Sequence, residues 1–226
     1  MAVHATVLVL ILFVVYSAYP FNTLFSWHPL FMIVGLYGFS LQGIVVYNTF
    51  SSLVPTHSAV KKYHLHALLQ TLSIITILAG STVIYKVKNN NNRPHLKSWH
   101  GTLGALFVLY GLSQGIFGFL KSRDFTRRWV RPKLSRKVHA VSGALFFSLG
   151  CLVTGLGFRS EWFQQRVLVN SIQDQGVRML VDYALIFLLC LLVIVVSKQI
   201  YDRYFTLQEI SVTTTSTHAK STKSAK

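Results

Sequence analysis

The chain has 226 residues, with 22 Lys+Arg against 6 Asp+Glu for a formal net charge of +16, yet only 12% of residues are charged and 52% are hydrophobic. Soluble domains carry about 25% charged residues, so the composition excludes a soluble domain and a largely disordered chain and leaves a polytopic membrane protein. The two cysteines, Cys151 and Cys190, lie within apolar runs and form no C-x-x-C pair, so a disulfide framework, a zinc site and covalent cofactor attachment lose support.

A helix needs roughly 20 apolar residues to cross the hydrocarbon core. Six stretches come close: Val3–Tyr19, Leu30–Tyr47, Leu65–Tyr85, Gly101–Leu120, Val138–Phe158 and Met179–Val196. The first five contain no Asp, Glu, Lys or Arg, and the sixth contains only Asp182. The first stretch lacks a basic n-region and an A-x-A site, so it reads as a span rather than a signal peptide. Loops are expected at Pro20, Ser51–Pro55, Asn89–Pro94, the basic stretch Lys121–Lys137 and the polar stretch Arg159–Gly176. The expectation is an all-α, six-helix transmembrane domain over residues 1–207, followed by a disordered Ser/Thr/Lys-rich tail over 208–226.

With six spans, the termini and loops two–three and four–five share one face. That face carries fifteen of the basic residues and the other face seven. The positive-inside rule then places both termini in the cytoplasm. The charge lies mostly beside the spans, where anionic lipid headgroups attract it, which speaks against a nucleic-acid surface.

Four of the nine histidines occupy equivalent places: His28 (SWHP), His66 (YHLHALLQ), His100 (SWHG) and His139 (KVHAVSG) stand at the starts of the second to fifth spans. Ionisable residues inside spans are costly and are functional suspects, although one such imidazole can simply bond a headgroup or a carbonyl. Successive helices run antiparallel, so His28 and His100 fall on the non-cytoplasmic side and His66 and His139 on the cytoplasmic side. Two neutral imidazoles on opposite sides of a flat macrocycle are what axial haem ligation requires. Tetrahedral zinc would want more ligands per face. Two non-covalent b-type haems, separated by something like 20 Å along the helices, fit this pattern best. Gly35, Gly38, Gly101, Gly104 and Gly143 would admit a macrocycle near the backbone, or equally serve close helix packing. Most Tyr and Phe are expected at the membrane interfaces.

The segments FSWHPLFMIVG, YHLHALLQ, WHGTLG and KVHAVSGAL resemble the cytochrome b561 family, in particular its small six-helix members without a fused extracellular domain. The resemblance implies two haem b groups held within the four central helices, His28 and His100 ligating the non-cytoplasmic one and His66 and His139 the cytoplasmic one. It also implies electron transfer from cytoplasmic ascorbate to monodehydroascorbate or ferric iron on the far side. A Lys at the place of Lys61 resembles the family's ascorbate-contacting position. The chain departs from the ascorbate-specialised branch at Asn48, where that branch carries Arg, and at Lys97, where it carries His; here His100 stands one helical turn later, so a slight helix shift would preserve the ligand.

Ascorbate is a monoanion, so Lys61, Lys62, Arg136 and Lys137 near the cytoplasmic histidines are the candidate donor site, against ordinary membrane anchoring. His64 lies on nearly the opposite helix face from His66 and is the competing ligand. His95 is the candidate for contact with an acceptor metal, while His4, His57 and His218 read as loop or terminal residues. Two other readings stay open: a di-haem subunit serving a partner protein, and a non-redox transporter or scaffold whose histidines only pack. Oligomeric state, including a homodimer, and the choice among endoplasmic reticulum, endosomal and plasma membrane are left open by the sequence.

Overall fold

In hydrocarbon every backbone N–H and C=O has to be satisfied within its own segment, and the long apolar runs accordingly form helices. The computed structural model describes residues 2–48, 52, 58–122, 131–169 and 172–206. His57, His218, the expected tail over 208–226 and parts of the expected loops (51, 53–55 and 123–130) lie outside the described residues. The helices are α1 Ala2–Ala18, α2 Leu24–Val45, α3 Ala59–Asn90, α4 Trp99–Ser122, α5 Pro132–Phe158 and α6 Gln175–Thr206. Every regular element among the described residues is helical.

The helices outrun the hydrophobic stretches. Lys61, Lys62, Arg136 and Lys137 are helical, within the first turns of α3 and α5. Long cationic side chains can lay their stems on apolar surface while the head reaches water, so the apolar run marks the membrane-buried part of a helix rather than its ends. Helix starts follow local chemistry: Ser58 accepts from the Lys61 N–H, Asp174 Oδ1 accepts from the Val177 N–H at 2.8 Å, and Pro132 opens α5 where its missing N–H costs nothing.

Helices α2 to α6 are long and apolar enough to cross a bilayer. Helix α1 has 17 residues, about 26 Å at 1.5 Å per residue, somewhat under the thickness of the hydrocarbon core. Its stripe of Val3, Val7, Leu10, Val14 and Ala18 is buried, and it packs on α2 and α6. Helices α2, α3, α4 and α5 pack in a ring, with α6 against α5. At the centre, a Cβ on Gly150 would stand 2.7 Å from Leu36 and 2.8 Å from Phe107, so only glycine lets α2, α4 and α5 meet there. Leu109, Ile116, Leu145, Leu180, Phe187 and Ile194 are exposed on the outer faces, as lipid contact requires.

Two features of the polar stretch 159–176 differ from a surface loop. Residues Phe163–Val169 form a wide π turn whose Phe163, Val167 and Leu168 are buried. Phe163 packs against Phe13 and Phe158, and Trp162 against Phe25. The apolar residues here are too few to read as a span, which hid the element in the sequence. Asp182, 8% exposed, meets Arg159 at 3.0 Å and joins the end of α5 to α6.

Candidate functional site: two opposed imidazole pairs

The ring of four helices brings the four histidines together two by two. His28 on α2 faces His100 on α4, with ring centroids 6.2 Å apart and planes at 85°. His66 on α3 faces His139 on α5 at 6.3 Å and 82°. The two pairs occupy opposite ends of the bundle. His66 and Gly80, which lies beside His28, are fourteen residues apart on α3, and that is about 21 Å of helix at 1.5 Å per residue.

Backbone carbonyls orient three of the rings. His28 donates Nδ1–H to the Gly80 carbonyl (3.0 Å), His66 to the Gly43 carbonyl (2.8 Å) and His100 to the Val153 carbonyl (3.0 Å). Each bond crosses to a neighbouring helix and fixes the tautomer, leaving Nε2 as the nitrogen that can bind a metal. His139 differs: its Nδ1 is buried and has no partner among the described residues. Two glycines make room beside the rings. A Cβ at Gly157 would lie 3.2 Å from His100 Cε1, and one at Gly118 would lie 3.3 Å from His139 Cε1.

The spacing permits a test of fit. A metal–nitrogen distance of about 2.0 Å plus about 1.15 Å from nitrogen to ring centroid, taken on both sides, requires about 6.3 Å between centroids. Both pairs meet that requirement, and both are too far apart to be hydrogen-bonded to each other. Beside His139 a cleft of about 320 Å³ opens, lined by Ser113, Gln114, Phe117, Val138 and Ser142. The Gln114 Nε2 is buried there without a partner among the described residues. The residues therefore fit a flat macrocycle, which His28 with His100 and His66 with His139 would hold.

Between the two levels the bundle is filled with aromatic rings. Phe107 stacks on Phe146 at 4.7 Å, Tyr37 meets Phe147 edge-on, and the Tyr37 hydroxyl points at Cys151 Sγ (3.7 Å). Tyr16, Tyr19 and Tyr85 are exposed, in keeping with interface positions, whereas Tyr37 and Phe147 are fully buried. Of the glycines singled out in the sequence, Gly35 serves helix contact, since its Cβ would meet Ile77 and the Ser73 carbonyl. Gly80, Gly43, Gly118 and Gly157 touch or anchor the imidazoles and were not expected. Only the reciprocal placement of helices reveals them.

The remaining candidates are dispersed. His64 is exposed and packs on Tyr63, away from the pair formed by His66. His95 donates Nε2–H to Asn89 Oδ1 (2.8 Å) and stacks on the Tyr85 ring. Lys61 and Arg136 are exposed, Lys62 and Lys137 half-buried, and the Lys137 ammonium sits 3.9 Å from the Phe205 ring centroid. No group of three or more His, Cys, Asp or Glu able to hold a metal ion occurs among the described residues.

The family model for eukaryotic cytochrome b561 matches residues 27–164, a segment that contains all four paired histidines. The chain is 33% identical to transmembrane reductase CYB561D2 of Bos taurus over 168 residues, 74% of this chain and 75% of that one. It is 27% identical to probable transmembrane reductase CYB561D1 of Mus musculus, over 73% of this chain and 72% of that one. Lysosomal membrane ascorbate-dependent ferrireductase CYB561A3 of Mus musculus is 28% identical over 62% of this chain and 57% of its own length. The helices that can cross a bilayer and these relatives make the chain an integral membrane protein. With its histidine-bearing core matched from end to end, the chain belongs to the eukaryotic cytochrome b561 family.

Proposed function

We propose that the chain is a transmembrane reductase with two haem b groups, one between His28 and His100 and one between His66 and His139. It would pass single electrons from cytoplasmic ascorbate to monodehydroascorbate or ferric iron on the other side. The observation that carries this reading is the pair of opposed imidazole couples, 6.2 and 6.3 Å apart, at opposite ends of one bundle. The family supports haem b as the cofactor, and the transmembrane reductase and ascorbate-dependent ferrireductase relatives support a reductase using ascorbate and iron.

When bound, haem iron supplies the one-electron change. The chain's own residues do the rest. The Nδ1–H bonds to Gly80, Gly43 and Val153 hold three imidazoles in the ligating tautomer and raise their basicity. The aromatic packing around Phe107, Phe146 and Phe147 keeps water from the space between the levels. Single-electron transfer needs no proton path between the pairs.

In this reading α1 completes a six-span bundle, both termini face the cytoplasm, and His66 and His139 form the donor-side pair, with Lys61, Lys62, Arg136 and Lys137 drawing the anion. Each electron leaving a negative-inside compartment gains about 2.3 kcal/mol per 100 mV, so the potential favours the outward direction. The test is absorbance of the purified chain: ascorbate should reduce a b-type spectrum and a ferric chelate should reoxidise it. A chain without haem absorbance sinks the reading.

A further inference from the structure

The cytoplasmic pair has a rim that the four candidate donor-site residues do not account for. Tyr47, two residues past the end of α2, lays its half-buried ring against His66 at 5.4 Å between centroids. The Arg203 guanidinium, near the end of α6, stands 5.1 Å from the Tyr47 ring centroid. One helical turn before Arg203, Gln199 accepts from Asn48 Nδ2 (3.2 Å) and donates to the Ile44 carbonyl (3.0 Å). Those two bonds fasten α6 to the end of α2 and so fix where Arg203 emerges.

Two more cations converge on the same place. Lys121, half-buried at the end of α4, stands one turn past Gly118, the glycine against His139, and Arg136 stands one turn before His139 on α5; Lys121 also lies within electrostatic reach of Arg203 on α6. None of these three cations has an ion pair among the described residues. The neighbouring carboxylate, Asp202, is held by Lys198 at 2.9 Å. Three like charges brought together at a partly desolvated rim repel one another unless an anion sits among them. A guanidinium laid on an aromatic face also keeps its N–H edge free for a planar oxyanion. Arg203 lies beyond the segment that the family model matches, so this side of the rim comes from outside the shared core.

We propose that Arg203, seated on Tyr47, together with Lys121 and Arg136, forms an anion site at the cytoplasmic histidine pair that receives a carboxylate or enediolate. This rests on the reading that His66 and His139 hold a haem, and it leaves two sources for the anion: the ascorbate monoanion, or a propionate of that haem. Arg203 is a positioning residue in either case.

The experiment compares the wild type with Arg203→Gln and Arg203→Lys as purified two-haem protein. Reduction is followed by stopped flow with ascorbate and with an uncharged hydroquinone, and each haem's potential is titrated. If ascorbate is the occupant, Arg203→Gln raises the ascorbate concentration for half-maximal rate by about tenfold or more, the loss of one charge-assisted hydrogen bond. Arg203→Lys recovers part of that rise, and the hydroquinone rate and the potentials stay unchanged. If a propionate is the occupant, the ascorbate dependence is unchanged and one haem's potential falls. The site is refuted if Arg203→Gln keeps two haems and moves neither readout. A wild type without haem absorbance would instead remove the underlying reading.

Discussion

Helices α2 and α3 hold each other's histidines. His28 on α2 bonds a carbonyl of α3, and His66 on α3 bonds a carbonyl of α2. Gly35 lies between these two anchors. An Ala Cβ there would stand 2.8 Å from Ile77 Cγ1, 3.3 Å from the Ile77 backbone nitrogen and 3.4 Å from the Ser73 carbonyl oxygen. Carbon–carbon contacts are optimal at about 3.5–4.0 Å, so the first contact is short by about 0.7 Å. Ile77 is 4% exposed and packed, while the other two contacts are helix backbone. At Gly38, in the same wide turn of α2, the nearest atoms to a Cβ are 3.6 and 3.7 Å away, an ordinary contact.

Gly→Ala in a helix gains about 0.5–1 kcal/mol from backbone entropy, and this gain is common to both sites. Overpacking applies only at Gly35 and costs about 1–3 kcal/mol. Gly35→Ala should therefore be less stable than Gly38→Ala by about 1–3 kcal/mol, read by thermal unfolding of the detergent-purified protein. Adding Ile77→Ala to Gly35→Ala removes the atom in the way, so the pair should couple favourably in a double-mutant cycle. Equal stability of Gly35→Ala and Gly38→Ala, or an additive cycle, would refute the close α2–α3 crossing.

Two further outcomes follow. A hydrogen bond to a ligating imidazole is worth about 10–100-fold in metal affinity, and of the four paired histidines His139 alone lacks one among the described residues; carbon monoxide added to the reduced protein should bind the haem proposed between His66 and His139 and leave the other untouched, as read in His28→Ala, where only that haem should remain. Carbon monoxide binding that vanishes in His28→Ala would contradict this. Arg159→Gln leaves Asp182 buried without its cation and should lower stability by about 1–3 kcal/mol, a range tempered by the 55% exposure of the Arg159 side chain; Asp182→Asn in the same background should recover most of it, and an unchanged melting curve for Arg159→Gln would show the ion pair to be idle.

The sequence makes the paired histidines legible because their intervals repeat at the length of a span and loop, and antiparallel alternation alone sorts them into two faces. It makes the apolar core of each span legible for the same reason that helices cross membranes. What it hides is whatever depends on how helices are set against each other. The carbonyls of Gly43, Gly80 and Val153 carry no signature as acceptors, since any residue offers one. Arg203 and Tyr47 are 156 residues apart and meet only because Gln199 ties α6 to α2. The turn at Phe163–Val169 escapes a reading based on hydropathy because the polar run Gln164, Gln165 and Arg166 separates its buried residues Phe163 and Val167. Lys61 and Lys62, prominent in the sequence, make no described side-chain contact with the histidine pair, whereas Lys121, hidden in a run of basic residues, stands one turn past the glycine that lies against His139.

The central claim is that each opposed pair of imidazoles holds its own haem. The direct measurement is haem content per purified chain in four single variants. His28→Ala and His100→Ala should each lose the same one of two haems, and His66→Ala and His139→Ala should each lose the other or weaken it selectively, with the remaining haem spectrally unchanged. Wild-type protein carrying one haem or none, or haem losses that pair His28 with His66 rather than with His100, would contradict the account.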